Sequence, residues 1–133
     1  MNNRRTIPHE SCHPLAALGF IGLPAASQAA DQDFTLTYHV ERIPAAKLSI
    51  DTCGSVVSEV AEKAGLGAAL QSFPGQLVTV QGGTSGSGAF VVQCIAVDAT
   101  TVAVVQGFDY QSTKGPLGDA ADQMIAALKA EAQ

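Results

Sequence analysis

"AFVVQCIAVDATTVAVVQGF", residues 89–108, holds two Val-rich runs on either side of the short polar break Asp98-Ala99-Thr100. Runs of this length, dense in β-branched residues and parted by so few polar ones, predict two antiparallel strands joined by a tight hairpin. Within the first run Phe90, Val92, Cys94 and Ala96 share a face, because side chains alternate along a strand.

Outward from this hairpin, "QLVTVQG" (76–82) reads as a third strand. "GGTSGSGAF" (82–90) then reads as the loop between antiparallel neighbours. A phosphate cradle would need a Lys and a hydroxyl residue after the last glycine, and a helix behind it. Here Gly88 is followed by Ala89 and Phe90 and by a strand.

"DFTLTYHVERI" (33–43) alternates with period 2, setting Phe34, Leu36, Tyr38 and Val40 against Thr35, Thr37, His39 and Glu41. That pattern predicts a half-buried strand. The row Thr35, Thr37, His39 and Glu41 is a candidate binding face, expected on the side of the sheet away from the helices.

Two segments carry helical spacing. In "DTCGSVVSEVAEKAG" (51–65) Cys53, Val57, Val60 and Ala64 recur at steps of 4, 3 and 4, with Ser55, Ser58, Glu59 and Glu62 opposite. Asp51 or Thr52 would cap its start, and Gly65 fits a left-handed C-terminal cap. "LGAALQSFPG" (66–75) reads as a short additional helical turn before Pro74-Gly75. "GPLGDAADQMIAALKAEA" (115–132) predicts a last helix opened by Pro116, with Leu117, Ala121, Met124 and Leu128 as its apolar stripe. The expected fold is α+β: a two-layer sandwich in the order β-α-β-β-β-α, with a four-stranded, mainly antiparallel sheet and two helices on one face.

The start of the chain indicates a compartment. Basic Arg4 and Arg5, the apolar stretch "LAALGFIGL" (15–23) and small residues at Ser27 and Ala29 follow one another in the order of a secretory signal peptide. The apolar stretch is too short for a span, which needs about 20 residues. We therefore expect residues 1–29 to be a cleaved leader and 30–133 a single small α+β domain, periplasmic or secreted, with no membrane span left after cleavage. The paired arginines leave both the general and the twin-arginine export routes open.

Loss of the leader changes the chemistry. The full chain has a net charge of −5. Residues 30–133 keep five basic residues against eleven acidic ones, a net of −6, with His39 the one remaining histidine. An acidic chain without a basic cluster is unsuited to nucleic acid, whose affinity comes largely from Lys and Arg neutralising phosphate. No zinc or other metal set and no cofactor motif is apparent, because His39 has no second histidine and no close cysteine pair beside it.

Cys53 and Cys94 are the cysteines left after cleavage. In an exported chain such a pair reads first as a disulfide, here closing a loop of about 40 residues across the core. A reactive pair, or two free thiols, is the alternative. A second candidate lies in "FDYQSTKGPL" (108–117), where Ser112, Thr113, Lys114 and Gly115 precede the last helix. Free amides and the dipole at that end favour an anion; the plainer reading is that Ser112 or Thr113 caps the helix. No catalytic set emerges. The sequence thus points to a small exported, disulfide-stapled domain that binds a protein partner or small ligand. An exported thiol-disulfide redox factor or enzyme working through Cys53 and Cys94 is the alternative.

Overall fold

The computed structural model describes residues 33–133; the leader expected over residues 1–29 lies outside them. The chain folds as α+β, with a sheet of five strands covered on one face by two helices. The elements in chain order are β1 (Thr35–Pro44), α1 (Ile50–Lys63), β2 (Gly67–Phe73), β3 (Leu77–Thr84), β4 (Gly88–Val97), β5 (Thr100–Asp109) and α2 (Pro116–Glu131). All neighbouring strands are antiparallel, in the order β1-β5-β4-β3-β2.

β2 to β5 form a simple meander of hairpins. β1 pairs with the last strand, from Thr35 opposite Asp109 to Pro44 opposite Thr100. β1 and β2 therefore occupy opposite edges and run in the same direction. The connection between them must cross the sheet and also return along a strand's length, which α1 accomplishes.

The expected four strands are five, and the order is β-α-β-β-β-β-α. The added strand is the segment read as a helical turn. Residues 67–73 pair with β3 from Gly67 opposite Gly83 to Phe73 opposite Leu77, through a turn in which Gln76 N–H donates to the Phe73 carbonyl. Ala and Leu favour helix locally. Here the buried residues Val78 and Val80 of β3 sit beside an edge whose backbone groups need partners, and satisfying those groups outweighs the local preference.

α1 begins two to three residues earlier than the expected caps, Asp51 or Thr52, suggested. Buried Ile50 draws the start back, and Ser49 caps it, its side chain accepting from Thr52 N–H at 3.1 Å. The buried stripe is accordingly Ile50, Cys53, Gly54, Val57 and Ala61; Val60 is half-buried and Ala64 exposed. At the far end Gly65 adopts φ +72°, Gly65 N–H donates to Glu62 O and Leu66 N–H to Ala61 O. This is the paired closure that a left-handed glycine permits. In α2 the expected stripe of Leu117, Ala121, Met124 and Leu128 is buried in full.

Between the layers the core holds Val78 and Val80 of β3, Phe90 and Val92 of β4, Ala103 and Val105 of β5, and the two helical stripes. Cys53 and Cys94, both fully buried, are joined by a disulfide that ties α1 to the central strand across a separation of 41 residues. The β4–β5 turn places Asp98 at φ +53°, a left-handed position that Asp tolerates better than most residues. At the end of α1's approach, the Thr101 hydroxyl, also fully buried, donates to the Leu48 carbonyl at 2.6 Å.

Closing a loop of this length lowers the entropy of the unfolded chain by an amount worth about 4 kcal/mol. Chemical denaturation with and without reductant should differ by about that much; a difference below about 1 kcal/mol would show that the bridge does not stabilise the fold.

Candidate functional site

The end of β5 and the start of α2 meet where an anion site was expected. On the helix side of β5 lie Thr101, Ala103, Val105, Gly107 and Asp109, all buried. Asp109 is fully buried, and its carboxylate accepts from Gly115 N–H at 2.8 Å, Leu117 N–H at 2.9 Å and Gly118 N–H at 2.9 Å. The free amides at the start of α2 are thus satisfied by an anion the chain itself supplies. A methyl group on Gly115 would come within 2.8 Å of Asp109 Oδ1, and one on Gly118 within 3.1 Å of Oδ2 and 2.6 Å of Thr37 Oγ1. The backbone closes on the carboxylate, leaving no room for a further ligand. Ser112 and Thr113 are exposed rather than capping. Gly115 N–H is spent on Asp109, and Lys114 is turned to carboxylates of α2, where Asp122 is its hydrogen-bond partner and Asp119 lies at 3.5 Å.

The polar row of β1 faces the helices, not the open side expected for it. Thr35 Oγ1 donates to Gln111 O at 2.8 Å, Thr37 lies against Gly118, and His39 Nε2–H donates to Asp122 Oδ1 at 2.8 Å. Glu41 pairs with Lys129 at 2.7 Å. The row is the seat of α2, whose polar flank lies over the edge strand while its apolar stripe packs on β5 and against α1. The Lys114 hydrogen bond holds the Asp122 carboxyl below its ordinary value, and the His39 hydrogen bond adds to this against partial desolvation. Asp122 in turn raises Lys114 above its ordinary value.

The other row of β1 is exposed to solvent, Leu36 at 42%, Tyr38 at 64% and Val40 at 55%, as is Phe34 just before the strand at 46%. Strand register extends it across the sheet. Leu36 stands beside Phe108, Val40 beside Val104 and Arg42 beside Val102. Ile95 lies beyond Val102, Val91 beyond Gln106, and Leu77 and Phe73 complete the far corner. Among the described residues no Asp, Glu or Lys stands on this face in any strand and Arg42 at its edge is the one charge, while Gln106, Gln93, Thr79, Gln81 and Gln71 make its middle and its β3–β2 half polar but neutral. Neither helix covers it. Exposed apolar patches of several hundred Å² on small domains mark interaction sites.

Both sulfurs of the Cys53–Cys94 bridge lie beneath α1. Thiol–disulfide exchange needs an attacking thiolate to reach a sulfur, and these two are enclosed. Among the described residues no group of three or more His, Cys, Asp and Glu side chains is placed to hold a metal ion. An open cleft between the end of α1 and the start of α2 is lined by Lys63, Ala64, Pro116, Asp119, Ala120 and Gln123. Among the described residues no helix is long and apolar enough to cross a membrane.

Fold and site together define a disulfide-stapled, two-layer α+β domain in which, among the described residues, one sheet face is left uncovered. Residues 33–133 match the model of a family of unknown function, DUF6180, and the chain belongs to that family. No curated protein matches the chain.

Asp109 was not picked out from the sequence, although a signal for it exists. Counting by twos from Cys94's partner Ala103 puts Asp109 on the core side of a Val-rich strand, where a carboxylate must find donors. Asp109→Ala should cost about 3 kcal/mol in chemical denaturation, since it strands buried amides. Asp119→Ala on the exposed first turn of the same helix should change stability by under ~0.5 kcal/mol; equal effects would refute the capping role.

The pair Asp122–Lys114 makes a pH-dependent contribution to stability at both ends of the range. Because Asp122 is lowered, its contribution is complete above the unfolded carboxylate value of about 3.9 and is lost as pH falls through the lower folded value. Because Lys114 is raised, its contribution is complete below about 10.4 and is lost as pH rises through the higher folded value. The stability difference between wild type and Asp122→Asn should shrink as pH falls below the first of these limits and again as it rises above the second, as read from melting temperatures across pH.

Proposed function

We propose that this chain is an exported binding domain whose open sheet face takes an apolar partner surface. A leader over residues 1–29 would deliver it to the periplasm or the medium, where a buried disulfide is stable. The observation that carries this reading is the sheet face that neither helix covers, mainly apolar on its β1–β5 side at Leu36, Tyr38, Val40, Val104 and Phe108. Burying it would release apolar surface from water at about 25 cal/mol per Å².

Binding rather than catalysis is favoured by how the reactive groups are used. Asp109 is filled with amides, His39 and Lys114 are both held by Asp122, and Glu41 is held by Lys129. The enclosure of both sulfurs argues against the alternative, a thiol-disulfide redox factor using Cys53 and Cys94.

Native mass spectrometry of the protein recovered from its own host tests this. The expected result is a chain lacking residues 1–29, without free thiol, carrying a non-covalent companion that Val104→Glu on the open face removes. A bare chain, or a companion indifferent to Val104→Glu, would refute the reading.

A further inference from the structure

We infer that the partner on the open face is a second copy of this chain, docked sheet to sheet about a two-fold axis through Gln93. The inference rests on the reading of that face as a docking surface, and adds the occupant.

Three observations select a second copy. The first is where the charges lie. Asp51, Glu59 and Glu62 are on α1, Asp119, Asp122 and Glu131 on α2, Asp98 in a turn, Asp33 ahead of β1 at the end of the sheet, and Glu41 and Asp109 on the helix side of the sheet. The acidic charge is thus gathered in the helical layer and at the ends of the sheet, and the open face is neutral apart from Arg42 at its rim. Two copies stacked through this face keep their acidic layers on opposite outsides, as helix–sheet–sheet–helix. Contact through any helical surface would instead bring like charges together, which costs several kcal/mol.

The second is the centre of the face. β4 is the middle strand of the five, and Gln93 is the middle open-face residue of Ala89, Val91, Gln93, Ile95 and Val97. It lies between Val104 of β5 and Thr79 of β3. Gln106, Gln81, Gln71 and Thr79 stand on the same face around it, and lipid or a hydrocarbon ligand would bury this whole polar group against a surface that offers it no hydrogen bond. A two-fold copy supplies one, because an amide carries both donors and an acceptor and so pairs with itself.

The third is size. Five strands at about 4.8 Å spacing and about eight residues at 3.4 Å give a footprint of roughly 650 Å² per copy. A standard interface buries about 800 Å² per partner, and packed sheets keep their strands within about 30° of each other, so the two faces overlap over most of this area.

The test is sedimentation equilibrium on the protein purified from a host expressing the full chain. Wild type should be a dimer at micromolar concentration. Gln93→Glu and Gln93→Lys, each placing like charges on the axis, should weaken dimerisation by about a hundredfold or more, with circular dichroism and melting behaviour of the monomer preserved. An equimolar mixture of the two variants should recover a heterodimer, which a merely unfolded variant could not do. Val104→Glu should also give monomers. The inference is overturned if wild type is monomeric, or if it forms a dimer indifferent to all three substitutions but broken by Ala69→Pro at the exposed β2 edge. A monomer bearing another companion that Val104→Glu removes would overturn the second copy and leave the binding function standing, whereas a bare monomer would overturn both.

Discussion

The carboxylate of Asp109, closed in by the first amides of α2, fixes where the last helix starts relative to the last strand. From that point the helix has one course, over β5 and the edge strand β1. Its polar flank then meets β1, and the residues that satisfy it are Thr37, His39 and Glu41. Once these face the helix, alternation sends Leu36, Tyr38 and Val40 to the other side. A single buried charge at the end of one strand thereby determines the character of a surface on the opposite side of the sheet.

The second anchor is at the other half of the helical layer. α1 must span from one sheet edge to the other, and the Cys53–Cys94 bridge holds it to β4 midway along that path. The two helices are secured by different chemistry, α1 covalently and α2 through charge and hydrogen bonds. Neither anchor draws on the open face, so that face is free of any structural duty on the helix side.

Most of the architecture was legible in local pattern. The two Val-rich runs of residues 89–108 and the helical spacing of Leu117, Ala121, Met124 and Leu128 both survive in the fold, as does the pairing of the two cysteines. What failed were judgements that need tertiary information. Gly67–Phe73 has an Ala-Leu composition that favours helix, and only the unpaired edge of β3 makes it a strand. The alternation of β1 divides its residues correctly into two rows, yet a period of 2 cannot say which row faces in. The usual assignment, apolar inward, is reversed here because α2 presents Asp122 and Lys129 rather than apolar side chains to this edge. Lys114 and Gly115 looked open to an anion because Asp109, six residues before Gly115, was not seen to be pointing at them.

The pairing of β1 with β5 has a temporal consequence. The first strand of the domain finds its neighbour only in residues 100–109, and α2, which seats its polar row, comes later still. Contacts this distant along the chain raise the contact order and slow the search for the native state. During synthesis β1 can gain neither its sheet partner nor its helix until nearly the whole polypeptide has emerged. Only the meander of β2 to β5, whose pairings are local hairpins, can assemble before then, and β1 must wait beside it as a strand without a neighbour.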